Sequence, residues 1–289
     1  MHKLNPLVVI VGETASGKSA LALDLAQKFN GEIICADAMT AYKGFDIGTA
    51  KPSFYEQELV GHHLLDVTTA LEGYSAPQFQ RAAHEAMRDI SSRGRLPILV
   101  GGTGLYIDSV LYDYSFLQPS TAPEREALNK NSLAELIEIA KKKGLPIESV
   151  DIRNKRRVIR LIENNGAMPE RSELRKNTLV LGITQTKDGL EERIAQRVDV
   201  MIRQGLEQEV AKLSAQYGWD VEPMKAIGYR EWQDYFNGTQ TLELTVERII
   251  SGTKRLAKKQ RTWFKRNNSI HWVSNRDEAV ATTTTFLNK

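Results

Sequence analysis

The first hundred residues alternate short apolar runs with stretches that repeat apolar residues at helical spacing. The apolar runs are rich in Val, Ile and Leu without alternating polar residues, which is typical of parallel strands covered by helices on both faces. We predict strands over residues 7–11, 32–36 and 96–100 and helices over 20–29 and 76–92. This βαβ order predicts an α/β fold around a parallel sheet.

After residue 114 the pattern becomes mainly helical. Residues 124–143 have helical periodicity and end at a Gly-Leu-Pro break, which predicts a small helical insertion over 115–150. The sheet-forming core then comprises residues 1–114 and 151–289. We predict a basic helix at 153–164, a returning strand at 179–183, helical structure from the long periodicity at 189–217, and mostly helix in the remainder.

Composition narrows the class of protein. Of 289 residues, 41% are apolar and 26% are charged, which is ordinary for a globular protein. The single cysteine, Cys35, excludes an internal disulfide and a cysteine-based zinc site. No apolar run approaches the length of a membrane span, and the run at 7–11 is too short for a signal peptide, so we expect a cytoplasmic protein.

A phosphate-binding motif follows the first predicted strand. The sequence GETASGKS at residues 12–19 matches G-x-x-x-x-G-K-[ST], in which backbone amides and the helix N-terminus hold phosphate oxygens. Lys18 supplies a positive charge and the Ser19 hydroxyl is a ligand for Mg²⁺. The motif's position predicts a P-loop NTPase-like parallel sheet flanked by helices, with the small helical insertion domain attached.

The loop alone leaves the bound polyphosphate undefined. An ordinary NTPase of this class carries an acidic residue at the end of a second strand, whereas the strand at 96–100 runs into Gly-Gly-Thr-Gly. Asp37 follows the strand at 32–36 and should project from the sheet edge at which the phosphate loop opens. A carboxylate at that edge suits a general base, although a turn cap would explain it equally well.

The chain resembles the bacterial transfer RNA dimethylallyltransferases over roughly residues 5 to 266. Besides the phosphate loop, the motifs that carry this resemblance are YKGFDIGTAKP at 42–52, GHHLLD at 61–66, GGTGLY at 101–106, RVIR at 157–160, RIAQRV at 193–198, GL at 205–206, AIGY at 226–229 and KQRTWF at 259–264. A lone phosphate loop would be weak evidence, but this ordered set is specific.

The resemblance implies transfer of a dimethylallyl group from dimethylallyl diphosphate to the exocyclic amine of the adenosine 3′ of the anticodon in tRNA. It implies that Asp37 takes the amine proton, that Lys18 and Mg²⁺ neutralise the diphosphate leaving group, and that Thr103 contacts the RNA near the reacting adenosine. ATP is not required. The diphosphate-binding residues would be Gly12, Thr14, Ala15, Ser16, Gly17, Lys18 and Ser19, together with Arg193 and Arg197, which are four apart on one helix face.

Departures from the family pattern lie beside the predicted base. The family usually carries Ser, a variable residue, Gln and Val after the aspartate, whereas this chain has Ala38, Met39, Thr40 and Ala41. Asp37, Ala38, Met39 and Thr40 are expected to contact tRNA, and Thr40 has a shorter reach than Gln, so selection of bases could be looser. Three more departures are Glu13 for the usual Pro, Arg156 for a usual Gln, and a shorter helical insert that contains the candidate RNA contact Arg125.

Two basic clusters indicate a polyanionic partner. Between Arg248 and Asn268 there are eight basic residues and no acidic ones, and Lys254, Lys258 and Arg261 fall on one helical stripe. The second cluster contributes Arg156, Arg157 and Arg160. We predict that both clusters bind the tRNA anticodon stem-loop through its phosphates.

Other functions share parts of this pattern. An adenylate prenyltransferase acting on AMP, ADP or ATP would use the same phosphate loop and base but would not need two basic surfaces. A P-loop small-molecule kinase would need the missing acid, and an RNA-binding regulator that only senses nucleotide would not need Asp37. We expect a monomer that needs no membrane.

Overall fold

The computed structural model describes residues 4–117, 122–183 and 185–289. The described residues form two compact units, one comprising those up to Leu111 and from Leu174 onward, the other Tyr112–Glu173. Among them, no helix is long and apolar enough to cross a membrane.

The first unit is built on a parallel β-sheet. Its six strands in the described residues are β1 (Leu7–Val11), β2 (Gly31–Cys35), β3 (His62–His63), β4 (Leu96–Gly101), β5 (Thr178–Ile183) and β6 (Ile270–Val273). Their order is β3-β2-β4-β1-β5-β6, and every neighbouring pair is parallel. The five residues of β1 are all fully buried, because this strand lies inside the sheet under helices. The predicted α/β class is confirmed.

Helices cover the sheet. In the first unit they are α1 (Lys18–Lys28), α2 (Phe54–Leu59), α3 (Ala76–Ser92), α4 (Gly104–Leu111), α8 (Lys187–Arg203), α9 (Leu206–Tyr217), α10 (Gln233–Phe236), α11 (Leu242–Phe264) and α12 (Arg276–Leu287), with short 3₁₀ turns at Glu222–Lys225 and Arg230–Trp232. Apolar residues of α1 pack with alternate residues of β1 and β2, while α8, α9 and α11 enclose a second core around Tyr229 and Trp232. Residues of both cores, such as Ala22 and Met201, line the cavity that contains Lys18 and Asp37.

The second unit is helical. It contains α5 (Ala122–Lys130), α6 (Leu133–Lys142), a 3₁₀ turn at Ile147–Ser149 and α7 (Lys155–Glu163). Apolar residues of α7 pack against α6 in one hydrophobic cluster. The compact unit therefore extends beyond the predicted insertion at 115–150 and includes the basic helix. Residues 118–121 of that insertion lie outside the described residues.

The structure adds detail to two parts of the predicted secondary structure. Within the mostly helical remainder, residues 270–273 form β6, which pairs with β5 at the sheet edge. The helical periodicity over 189–217 is divided between α8 and α9, because Gly205 adopts a left-handed conformation (φ 98°) and redirects the chain into α9.

Candidate active site

The phosphate loop connects β1 to α1. Gly17 has φ 97°, which other residues rarely adopt, and it caps α1 so that the helix N-terminus faces the loop. The Ser16 amide and the Lys18 ammonium both donate to the carbonyl of Glu13, at 3.2 and 3.1 Å. The loop is thus closed on itself, with Lys18 held at its centre.

Helix α11 fastens the phosphate loop to the Gly-Gly-Thr-Gly turn that follows β4. The buried Gln260 accepts a hydrogen bond from the Thr14 amide at 2.8 Å and donates to the Gly102 carbonyl at 3.1 Å. A Cβ at Gly104 would lie 2.4 Å from the Trp263 ring, and the Trp263 indole donates to Asp108 at 2.9 Å. The glycines of this motif therefore allow α11 to pack directly on the turn.

Asp37 follows β2 by two residues and lines the same cavity as Lys18. One carboxylate oxygen accepts the Met39 amide at 2.9 Å, which closes a local turn and fixes the side chain. Burial lowers the pKa values of Lys18 and Arg197, and the negative charge of Asp37 opposes both shifts. The prediction that the carboxylate lies at the edge where the phosphate loop opens is consistent with this geometry.

The cavity has a polar part and an apolar part. Its polar lining residues include Thr14, Lys18, Ser19, Asp37, His62 and Arg197. Its apolar walls come from α1, β2, β4, α8 and α11, through Ala22, Ile33, Cys35, Val100, Ile194, Val198, Met201, Ile249 and Leu256. Such a cavity can hold an anionic group and a short hydrocarbon side by side.

Burial lowers the pKa of Lys18 to about 8, with Asp37 and Glu13 opposing the shift and Arg197 adding to it. In the unfolded chain Lys18 keeps its ordinary value near 10.5, so burial of the charged form opposes folding below pH 8. That cost is lost as the pH rises from about 8 to 10.5, where the folded protein holds fewer protons than the unfolded chain.

We expect the affinity for inorganic diphosphate to fall above pH 8, because binding then requires Lys18 to take up a proton. Calorimetric titration between pH 7 and pH 10, in buffers of different ionisation enthalpy, measures that uptake. The Lys18→Met variant should take up fewer protons on binding diphosphate, because the lysine that is protonated in the wild type is absent. Equal proton uptake by the two proteins would contradict the prediction, because the protons would then be taken up by diphosphate alone.

The two arginines of the RIAQRV motif occupy different environments. Arg197 is half-buried in the cavity, where it donates to the Thr14 hydroxyl and the Thr49 carbonyl, both at 3.4 Å. Arg193 is exposed and reaches the outer side of Gly17. Both line a groove along the loop and the start of α1, and only Arg197 also lines the main cavity. Among the described residues, neither forms an ion pair with a carboxylate.

Thr103 lies beside the Asp37 turn. Its hydroxyl accepts the Ala38 amide at 3.1 Å, and its own amide donates to the Ala36 carbonyl at 3.3 Å. Thr40 is buried and its hydroxyl donates to the Asp37 carbonyl at 3.3 Å, while Met39 is half-buried. The segment after β2 that departs from the family pattern is therefore packed around the carboxylate.

Ser19 is exposed in the first turn of α1 and lines both the cavity and the groove. In the described part of the chain no three His, Cys, Asp or Glu side chains form a metal-binding cluster. This arrangement fits Mg²⁺ held by one hydroxyl and by substrate phosphates, because Mg²⁺ commonly keeps waters and binds through few protein ligands.

The basic stripe of α11 is partly neutralised by acids from other elements. Lys254 pairs with Glu191 of α8 at 2.6 Å. Arg261 pairs with the buried Glu13 of the phosphate loop, with a second contact at 2.9 Å. Lys258 is exposed and forms no ion pair within the described residues. The interpretation that this stripe is uncompensated is therefore wrong for Lys254 and Arg261.

In the second unit, Glu163 organises two of the predicted RNA contacts. Its carboxylate, almost fully buried, accepts from Arg125 at 2.5 Å and from Arg160 at 3.4 Å. Arg160 also donates to the Leu117 carbonyl at 2.7 Å. Arg156 and Arg157 are exposed on α7.

Sequence analysis missed the residues that hold the cavity walls together. One of these residues is Gln260, described above. The other two are Glu209 and Lys51, which form hydrogen bonds that hold the segment at 42–48. Lys51 is almost fully buried and donates to the Tyr42 carbonyl at 2.9 Å and to Asp66 at 2.6 Å. The available sequence indication was that Lys51 and Asp46 lie in the motif at 42–52 and Asp66 lies in the motif at 61–66.

The site and sheet together define a P-loop protein in which the Asp37 carboxylate and residues of the phosphate loop line one cavity. The family model "IPP transferase" matches residues 40–267. The chain is 41% identical to the tRNA dimethylallyltransferase of Anoxybacillus flavithermus (95% of this chain, 92% of the relative) and 38% identical to that of Bacillus subtilis (92% and 90%).

Solved structures agree with these matches. A tRNA isopentenylpyrophosphate transferase from Bacillus halodurans superposes with a TM-score of 0.76 at 34% identity, covering 99% of this chain and 96% of that one. A eukaryotic dimethylallyltransferase acting on tRNA gives 0.84 at 26% identity, covering 99% and 80%. The chain belongs to the IPP transferase family, and its P-loop NTPase-like fold is confirmed.

Proposed function

We propose that this protein transfers a dimethylallyl group from dimethylallyl diphosphate to the N6 amine of the adenosine 3′ of the anticodon in tRNA. The observation that carries the proposal is that the Asp37 carboxylate and the Lys18 ammonium line one cavity with apolar walls. The relatives' names point to the same reaction. We place the enzyme in the cytoplasm as a monomer.

On the donor side, the phosphate loop binds the diphosphate with Lys18 and Arg197, and the apolar walls take the five-carbon chain. Mg²⁺, bound by the Ser19 hydroxyl and the diphosphate, would add positive charge to the leaving group. The adenosine nitrogen forms a bond to C1 of the dimethylallyl group while the C1–oxygen bond breaks, and its electron pair leaves with diphosphate. Lys18 and Arg197 stabilise that charge.

On the RNA side, Asp37 accepts the proton that the N6 amine loses as the new bond forms. An adenine amine is weakly nucleophilic because its lone pair is delocalised, so a nearby base matters. Met39 and Thr40 line the cavity next to Asp37, and the Thr103 hydroxyl holds the Ala38 amide, so we infer that the base enters beside this segment. A base can reach it only when swung out of the anticodon-loop stack.

The deciding experiment gives the purified protein labelled dimethylallyl diphosphate with unmodified tRNA and AMP in parallel. Label in tRNA supports the proposal. Label in AMP alone would make the protein an adenylate prenyltransferase. Nucleotide or RNA binding without transfer of label would make it a regulator.

The exposed charge on α11 leads to a separate prediction about RNA. Lys258→Ala should weaken tRNA binding a few-fold and reduce the slope of log K against log salt by about 1, because one phosphate contact is lost. Filter binding at several salt concentrations measures the slope. Lys28→Ala, at the exposed far end of α1, removes the same charge elsewhere and should leave the slope unchanged. Equal slopes for the two variants would mean that Lys258 lies on a solvated surface that does not contact the RNA.

A further inference from the structure

Glu209 of α9 binds three consecutive backbone amides. Its carboxylate accepts from the amides of Asp46 at 3.0 Å, Ile47 at 2.8 Å and Gly48 at 3.0 Å. The Tyr229 hydroxyl adds a fourth hydrogen bond at 2.8 Å. Successive N–H groups that converge in this way form a nest for an anion, here filled by a carboxylate of the same chain.

The residues that follow this nest form part of the cavity wall. Gly48, Thr49 and Ala50 line the cavity, and the Thr49 carbonyl accepts a hydrogen bond from Arg197. A Cβ at Gly48 would lie 2.5 Å from the Tyr229 ring, so the ring presses directly on the backbone. Contacts thus run from Glu209 through the segment to Arg197.

We propose that Glu209 is a positioning residue for the donor diphosphate, because it fixes the segment that holds Arg197 in place. This inference rests on the proposed function. Glu209 does not line the main cavity, so it acts through Thr49 and Arg197 without touching the donor. A carboxylate is required because four hydrogen-bond donors point at its two oxygens. In a glutamine one of these oxygens is replaced by an NH₂ group, which is itself a donor and cannot accept from them.

Glu207 provides a matched control on the same helix. It is half-buried like Glu209 and accepts a tyrosine hydroxyl, that of Tyr235, at 3.1 Å. It does not line the cavity and makes no hydrogen bond to the segment among the described residues. Glu207→Gln therefore removes a comparable charge without disturbing the cavity wall, and its amide oxygen can still accept the Tyr235 hydroxyl.

The test compares Glu209→Gln and Glu207→Gln with the wild type, at a temperature where thermal unfolding shows all three folded. For Glu209→Gln we expect kcat/KM for dimethylallyl diphosphate to fall ~10- to 100-fold, the scale of misplacing a binding group by about an ångström. The KM for tRNA should change less than about threefold, because phosphate contacts on the exposed basic residues remain. Tyr229→Phe, which removes one of four bonds, should give a smaller effect in the same direction.

Three outcomes would overturn the inference: an unchanged kcat/KM for the donor, a rise in the KM for tRNA as large as the loss for the donor, or an equal donor loss in Glu207→Gln. A second measurement, calorimetric binding of inorganic diphosphate, is independent of transfer. If the wild type transfers no label, the proposed function fails, but the positioning role is still tested by whether Glu209→Gln alone weakens diphosphate binding.

Discussion

Replacing Asp37 by asparagine should lower the rate of prenyl transfer ~10²- to 10⁴-fold, the usual consequence of losing a general base. Asparagine keeps the size of the side chain, and its carbonyl oxygen can still accept the Met39 amide that closes the local turn. What is lost is the proton acceptor. Among the cavity-lining residues the structure describes, Asp37 is the one carboxylate.

Single-turnover assays with saturating tRNA and donor isolate this step from binding. RNA affinity should stay within a few-fold of wild type, because Asp37 carries no positive charge toward the phosphates. Asp89→Asn, at an exposed aspartate paired with Arg93 near the end of α3, should leave the rate unchanged. Wild-type turnover in the Asp37 variant would mean that water or RNA takes the proton.

The phosphate loop could be predicted from sequence because its geometry is local. A strand, a left-handed glycine and a helix N-terminus determine where Lys18 and Ser19 lie, and each depends on residues within a few positions. The strands at the centre of the sheet are equally clear, since residues such as Val9 and Ile10 are buried on both faces and leave an unbroken apolar run.

The electrostatic environment of α11 could not be predicted, because its partners are distant in sequence. A helical wheel compares residues three and four apart, whereas Arg261 and Glu13 are separated by 248 positions and Lys254 and Glu191 by 63. Gln260 is one polar residue among the basic residues in the second half of α11, and nothing in the local sequence indicates that it binds two loops. Only the folded arrangement of the sheet and α11 brings these groups together.

The edge of the sheet was also unpredictable. In β6 only the first and last residues are buried, so His271 and Trp272 interrupt the apolar pattern that identifies the inner strands. Strand β3 has two residues, both histidines. Short edge strands are stabilised mainly by pairing with a neighbour, which leaves little trace in the local sequence.

The difference between the two arginines of α8 should be measurable. Arg197→Ala is expected to reduce kcat/KM for dimethylallyl diphosphate ~10²- to 10³-fold, as removal of one preorganised donor to a developing negative charge commonly does. Burial lowers the pKa of Arg197, although Asp37 opposes the shift, so its charge stands in a poorly solvated cavity. An anion there gains more from the guanidinium than it would in water.

Arg193→Ala is the matched control, since it removes the same group one helical turn away. Arg193 is exposed on the outer side of Gly17, where solvent and salt screen its charge, so we expect a loss below about tenfold. Raising the ionic strength should shrink the Arg193 effect and leave most of the Arg197 effect. If both variants lose activity equally at every salt concentration, the diphosphate is bound in the outer groove that the two arginines share, and the buried position of Arg197 has no special role.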